Sequence, residues 1–329
     1  MTPLALASLL LFCAPTRAAD VPYLKYVDDN TVKALANQNG LYRWREDDFN
    51  SAEAFRYVKS SLVAQVERGL AADNLLPQGT TLPRLPEPRL NRMVLTALRK
   101  KAGLFKTQGE ELAFMASVIQ HEQSVKWMML GGDGDNDFGA AKQSPPAKDP
   151  PYAMNCAQFI QYVAYRAGYP EDAQTQVPQS DWASRDSKVG GLSAQLVQTY
   201  FLDKWQGWWK PAYDKQNGAY SYQATTIMPG DLIVLFLQNK TGGSPEAYQF
   251  FHVEMVTQAD PENLNGTRSI GNSGKAPHYS NLLGKWDRFW QWADENYPLY
   301  LTKEKTNDWR YVIYRLRQPA DLPETLKLD

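Results

Sequence analysis

Cysteine is scarce in this 329-residue chain, which contains only Cys13 and Cys156. Cys13 lies in an apolar stretch, residues 4–14, that is too short to cross a bilayer and precedes Thr16-Arg17-Ala18, a typical cleavage site of an export signal. We therefore predict a signal peptide over residues 1–18 and a periplasmic or secreted bacterial protein. Removal of that signal leaves Cys156 as the single thiol, which excludes a disulfide within the mature chain.

An excess of charge of either sign is also missing. Without residues 1–18 the chain keeps 34 basic residues (35 minus Arg17) against 36 acidic ones, a net charge of −2. This balance gives no electrostatic reason to expect a nucleic acid or an anionic membrane as partner. The sequence also has no long apolar run that would span a membrane, no zinc-ligand pattern, no phosphate-binding loop and no Gly-x-Ser-x-Gly motif. We therefore expect chemistry without a cofactor.

Hydrophobic spacing divides the chain into two regions. Helical periodicity follows a capping-box pattern at Asn50, with Phe55, Val58, Leu62 and Val66 on one face before Gly69. It returns at residues 93–98 and again from Glu110 to about Met129. A segment rich in Gly, Asp and Pro follows at 131–151 and is typical of a loop. We predict a mainly helical N-terminal region over 20–145 and a second domain over 146–329.

The second domain has the pattern of one helix followed by strands. The helix is predicted from Cys156 to about Ala167, with Gly168 as its C-terminal stop. Runs rich in β-branched and aromatic residues follow at 231–237, 250–257, 267–270 and 309–317. A helix followed by antiparallel strands predicts the α+β class.

Cys156 occupies a position that favours a reactive thiol. Asn155 is a good N-cap, which puts Cys156 in the first helical turn, where unpaired N–H groups and the helix dipole stabilise a thiolate. The same turn offers an N–H group to an oxyanion. The alternative is a buried structural cysteine, a common fate of a free thiol.

His252 is the histidine best placed to act on this thiol. It lies in a predicted strand whose alternation puts Phe250, His252 and Glu254 on one face. The sequence pattern predicts no such strand around His121 or His278. After the next turn, Asn272 is the best placed amide to orient an imidazole, although it equally fits a turn before Gly274.

Three motifs in order resemble those of the NlpC/p60 cell-wall peptidases, a papain-like clan of cysteine hydrolases, over roughly residues 150–275. Asn155-Cys156-Ala157-Gln158-Phe159 resembles their Asp-Cys-Ser-Gly-Phe motif, Pro229-Gly230-Asp231-Leu232 resembles their Pro-Gly-Asp-Leu strand, and His252-Val253-Glu254 resembles their His-Val-Gly strand. The end of the chain is similar to an exported branch of the clan, which has a terminal Val-Tyr-Arg strand.

This resemblance implies a fold in which the cysteine-bearing helix packs on an antiparallel sheet. It also implies Cys156 as nucleophile, His252 as base, Asn272 as orienting residue and Tyr152 as an oxyanion contact. The implied reaction is hydrolysis of an amide bond in peptidoglycan stem peptides. Two alternatives remain open: a catalytically inactive cell-wall or glycan-binding protein on the same fold, and an acyltransferase.

Other side chains suggest binding sites of lower specificity. Trp205, Trp208 and Trp209 form a cluster whose faces could stack on sugars, although packing in a core is the commoner use of such tryptophans. Alternating aspartates at 133, 135 and 137 follow the spacing of calcium ligands but lack the glycine and glutamate of an EF-hand loop. Glu122 is placed like the general acid of a lytic transglycosylase, but a helix surface is the simpler interpretation.

Overall fold

The structure, a computed structural model, describes residues 23–38, 51–76, 81–82, 86–128, 137–169, 209–216, 226–239, 248–260, 266–281 and 306–317. Within these ranges a short 3₁₀ turn is followed by helices and strands in the following order: α1 (Asp29–Gln38), α2 (Ser51–Ala72), α3 (Glu87–Lys100), α4 (Gln108–Glu122), β1 (Val125–Trp127), α5 (Phe138–Ala141), β2 (Tyr152–Met154), α6 (Cys156–Arg166), β3 (Trp209–Gln216), β4 (Leu232–Asn239), β5 (Tyr248–Gln258), β6 (Arg268–Ser273), β7 (Ala276–Ser280) and β8 (Thr306–Leu316). The predicted signal peptide lies outside the described residues.

The buried face of helix α2 is the one that its sequence predicts. Phe55, Val58, Leu62 and Val66 recur at helical spacing and are all buried. Gly69 does not end the helix, which continues to Ala72. Gly69 instead allows close packing: a Cβ at this position would come within 2.4 Å of the Tyr26 ring.

Helix α4 ends earlier than its apolar periodicity predicts. It stops at Glu122, where Gln123 adopts a left-handed conformation with φ of 52°. The prediction of helix to about Met129 is therefore wrong. Residues 125–127 form β1, which pairs in parallel with β2 through partners such as Val125 and Tyr152.

The larger sheet contains six of the described strands in the order β3-β8-β4-β5-β6-β7. All neighbouring pairs in it are antiparallel. Strands β4, β5, β6 and β8 confirm the four predicted strand-like runs, with small differences at their ends. The described chain is thus of mixed α+β class, with helices and an antiparallel sheet.

One apolar core extends from the first helices into the sheet and crosses the predicted boundary at 145/146. Helix α4 begins against the turn that precedes β4, where a Cβ on Gly109 would meet the Pro229 carbonyl oxygen at 2.4 Å. Glycine permits this backbone contact because it carries no side chain. The division into two domains remains a prediction.

Buried polar contacts fix the C-terminal end of α6 to the helices before it. Glu111 of α4 is fully buried and pairs with Arg92 and Arg99 of α3. Asn91, also on α3, donates its Nδ2 to the Arg166 carbonyl oxygen at 2.6 Å. The first two contacts join α3 to α4, and the Asn91 bond connects α3 to the end of α6 that lies opposite Cys156.

No helix in the described ranges is both long enough and apolar enough to cross a membrane.

Candidate functional site

Helix α6 begins with a complete capping box. Asn155 has extended backbone angles, φ −86° and ψ −178°, and its side chain accepts a hydrogen bond from the Gln158 backbone N–H at 2.8 Å. The Gln158 side chain in turn accepts from the Asn155 backbone N–H at 3.1 Å. This reciprocal pair fixes the first turn of the helix. Cys156 is the first residue of that turn, as predicted, and is 8% exposed.

His252 lies on β5, opposite Leu235 of β4. Its imidazole interacts with the Cys156 side chain, and helix α6 packs against β5. The histidine side chain is 12% exposed, so both groups are largely shielded from water. The structure therefore brings together the two residues to which the sequence assigned the chemistry.

Glu254 contacts the imidazole from the same strand. The His252 Nε2 and the Glu254 Oε1 are 3.1 Å apart. The other carboxylate oxygen, Oε2, accepts hydrogen bonds from the hydroxyls of Ser269, at 2.6 Å, and Ser280. These two serines are paired across β6 and β7. The Glu254 carboxylate therefore contacts the His252 imidazole through one oxygen and accepts hydrogen bonds from two serine hydroxyls through the other.

A glycine on β6 makes room for this arrangement. A Cβ added to Gly271 would meet the Glu254 Cγ at 2.6 Å and the His252 Nε2 at 3.2 Å. Any larger residue at this position would push against both side chains. Gly271 therefore provides the space in which the imidazole and the carboxylate meet.

The electrostatics of the pair favour an imidazolium beside a carboxylate. Burial by itself lowers the pKa of His252, but hydrogen bonds and charge interactions with Cys156 and Glu254 outweigh it and raise this pKa to about 10. Burial raises the pKa of Glu254, and the contacts with His252, Ser269 and Ser280 outweigh it and lower this pKa. At neutral pH we therefore expect His252 to be protonated and Glu254 to be ionised.

The described hydrogen bonds of Asn272 are to backbone carbonyl groups and not to the imidazole. Its Nδ2 donates to the carbonyl oxygens of Met154, at 2.6 Å, and Lys126, at 3.4 Å. Side chains alternate along a strand, so Asn272 points to the opposite face of β6 from Ser269, which bonds Glu254. The contact with the imidazole that the sequence assigned to Asn272 is made by Glu254. Asn272 instead ties β6 to the strand that leads into Cys156.

Glu254 is the site residue that the sequence analysis missed. The signal was present, because strand alternation puts Glu254 on the same face as His252. A carboxylate in an otherwise apolar strand also needs a partner if that strand is buried.

The remaining predicted site residues either contact groups other than the thiol or fall outside the described ranges. Tyr152 is buried, and its ring packs against that of Tyr162 with centroids 6.1 Å apart. Trp209 is 1% exposed and donates its Nε1 to the Gly230 carbonyl oxygen at 3.4 Å, so its indole is part of the core. Trp205 and Trp208 fall outside the described residues.

The acidic residues singled out as alternative sites have structural partners where they are described. Glu122 binds Arg166 through an ion pair of 3.0 Å. Asp137 pairs with Lys148 at 2.7 Å, while residues 133 and 135 are not among those described. Within the described ranges, no group of three or more potential metal ligands occurs.

The chain has no significant match among known protein families, curated proteins or solved structures.

Proposed function

We propose that this protein is an exported cysteine hydrolase that cleaves an amide bond, with a papain-like core of the NlpC/p60 type. The observation that carries the proposal is the Cys156 thiol at the start of a capped helix that packs against the strand of His252, whose imidazole interacts with the cysteine side chain. The order of the two residues along the chain and their placement on a helix and an adjacent strand also support it. A structural cysteine needs no such imidazole, and a nucleophile does.

The reaction follows from these groups. Because His252 already carries a proton, the Cys156 sulfur attacks as a thiolate and forms a bond to the carbonyl carbon of the substrate. The carbon–nitrogen bond then breaks, and the imidazolium gives its proton to the leaving nitrogen. Water attacks the resulting thioester, losing a proton to His252. The carbon–sulfur bond breaks, the acid product leaves, and the thiolate and the imidazolium are restored.

The first turn of α6 is suited to the oxyanion that forms on the carbonyl. The first N–H groups of a helix have no partner inside the helix. The Asn155 side chain takes that of Gln158, and we assign the N–H group of Cys156 to the developing negative charge. This assignment needs no contribution from Tyr152, whose ring packs against Tyr162.

Peptidoglycan stem peptides are the substrate that we propose, because the three motifs around Cys156, Asp231 and His252 resemble those of cell-wall peptidases. The test is incubation of the mature protein with purified bacterial sacculi, followed by mass spectrometry of the soluble products. The Cys156→Ala variant is the control for the nucleophile. Fragments released by the wild type alone, with a new carboxylate at the cut, would support the proposal and identify the bond.

Burial of Cys156 favours one other function, a catalytically inactive glycan-binding protein on the same fold. Such a protein would bind to sacculi in a pull-down without releasing fragments, and its thiol would be alkylated slowly at pH 6. An acyltransferase would instead give a product joined to an added amine.

A further inference from the structure

We propose that Glu254 is the positioning residue of the catalytic pair: its carboxylate, held by Ser269 and Ser280, fixes the orientation of the His252 ring toward Cys156. This inference rests on the proposed function, since it assigns a third member to the same site. The third member comes from the strand of the histidine itself, two residues further on, rather than from the following strand.

The two oxygens of the Glu254 carboxylate have different partners. Oε1 faces the His252 Nε2 at 3.1 Å, and Oε2 accepts from the two serine hydroxyls. A ring held at Nε2 has its other nitrogen, Nδ1, left to exchange a proton with the thiol. Rotation of the ring would break the bond to Glu254, so this bond selects the orientation in which the proton transfer takes place.

The charge of Glu254 distinguishes it from a neutral orienting amide. Cys156 of α6 and Glu254 of β5 are the titratable groups that interact most strongly with His252. The neighbouring residues that face the pair from β6 and β7, Ser269 and Ser280, are neutral. A carboxylate beside an imidazole favours the imidazolium form, whereas an asparagine would hold the ring without favouring its charge.

The two serines keep the carboxylate ionised despite its burial. Glu254 is 3% exposed, and a buried carboxylate without donors would take up a proton. Hydrogen bonds from two hydroxyls favour the charged form and also fix the side-chain rotamer. We therefore expect Glu254 to stay ionised and His252 to stay protonated in mildly acidic solution.

The test uses two properties of the mature protein that need no knowledge of its substrate. The first is the titration of His252, followed by NMR of the imidazole; the chain has only three histidines, so the His252→Gln variant identifies the signal. The second is the rate of alkylation of Cys156, the single thiol after removal of the signal, by iodoacetamide between pH 5 and pH 9.

The variants are Glu254→Gln and a matched control, Asp231→Asn. Asp231 is a second buried carboxylate, directly before β4, and pairs with Arg315, so its loss perturbs folding without touching the imidazole. We expect Glu254→Gln to lower the titration midpoint of His252 by about 1–3 pH units and to slow alkylation at pH 6 by about tenfold or more. Asp231→Asn should change neither quantity.

An unchanged His252 midpoint in Glu254→Gln would overturn the proposal, as would an equal change in Asp231→Asn. If Glu254→Gln does not fold, Ser269→Ala provides the test: loss of a donor raises the pKa of Glu254, so the acid limb of the alkylation profile should move to higher pH. An unmoved acid limb would contradict the proposed role.

The sacculus assay separates this inference from the proposed function. Release of fragments by the wild type together with an unchanged pH profile in Glu254→Gln would leave the hydrolase intact and remove Glu254 from its mechanism. A shifted His252 midpoint without any released fragments would support the role of Glu254 in the ion pair and count against the peptidoglycan substrate.

Discussion

Replacement of Asn155 by alanine should destabilise the protein and slow the reaction of its thiol at the same time. The substitution removes the acceptor of the Gln158 N–H, a hydrogen bond of 2.8 Å, and leaves the reverse bond of the capping box in place. Cys156 follows directly, so the cap and the nucleophile share one helical turn. Loss of the cap therefore affects both stability and chemistry.

The magnitude follows from known cap energetics. Substitution of an asparagine N-cap by alanine costs about 1 kcal/mol, within a range of about 0.5–2 kcal/mol. The helix dipole at the first turn contributes about 0.3–1 kcal/mol to a negative charge, so disorder of this turn should slow alkylation by at most about fivefold. The Asn155→Asp variant separates the effects, because aspartate keeps the cap but places a negative charge beside the thiolate of Cys156.

The assays are urea denaturation and iodoacetamide alkylation at pH 6. We expect Asn155→Ala to lower the free energy of unfolding and the alkylation rate, and Asn155→Asp to lower the alkylation rate alone. If Asn155→Ala had the same free energy of unfolding as the wild type, the capping box would contribute nothing to stability in solution. An Asn155→Asp variant that alkylates faster than the wild type would refute the electrostatic argument.

Three further predictions concern the surroundings of the site. Arg315→Leu leaves the Asp231 carboxylate buried without its partner and should cost about 3–5 kcal/mol, most of which the double variant with Asp231→Leu should recover in urea denaturation. His252 has a folded-state pKa of about 10 against 6.5 for the free side chain, so the stability it contributes is complete below pH 6.5 and is lost as the pH rises through about 10. The difference in unfolding free energy between the wild type and His252→Gln should accordingly shrink over that interval, and a constant difference would contradict the assigned ion pair. Gly109→Ala places a methyl group 2.4 Å from the Pro229 carbonyl oxygen and should lower stability by about 1–3 kcal/mol, measured by thermal unfolding against a Gly139→Ala control, where the added carbon meets no atom within 4 Å.

Local patterns predicted the elements that depend on contacts near in sequence. The buried face of α2, from Phe55 to Val66, follows from helical spacing, and the start of α6 follows from the cap at Asn155. Strand β1 was missed because its three residues carry no period of their own and form a strand only by pairing with β2, about 27 positions later in the sequence. The left-handed Gln123 that ends α4 also has no sequence signal of the usual kind, which is a glycine.

The same distinction explains why the sequence identified Cys156 and His252 but chose Asn272 as their third partner. A helix start and a strand histidine are visible one element at a time, whereas the choice between Asn272 and Glu254 depends on the pairing of β5 with β6. In the observed register Val256 faces Ser269, which puts Ser269 and Glu254 on one face and Asn272 on the other. A shift of one residue would exchange these positions. The third residue of the site is therefore a consequence of sheet register, and Glu254 occupies it because Ser269, which completes its hydrogen bonds, lies on the same side.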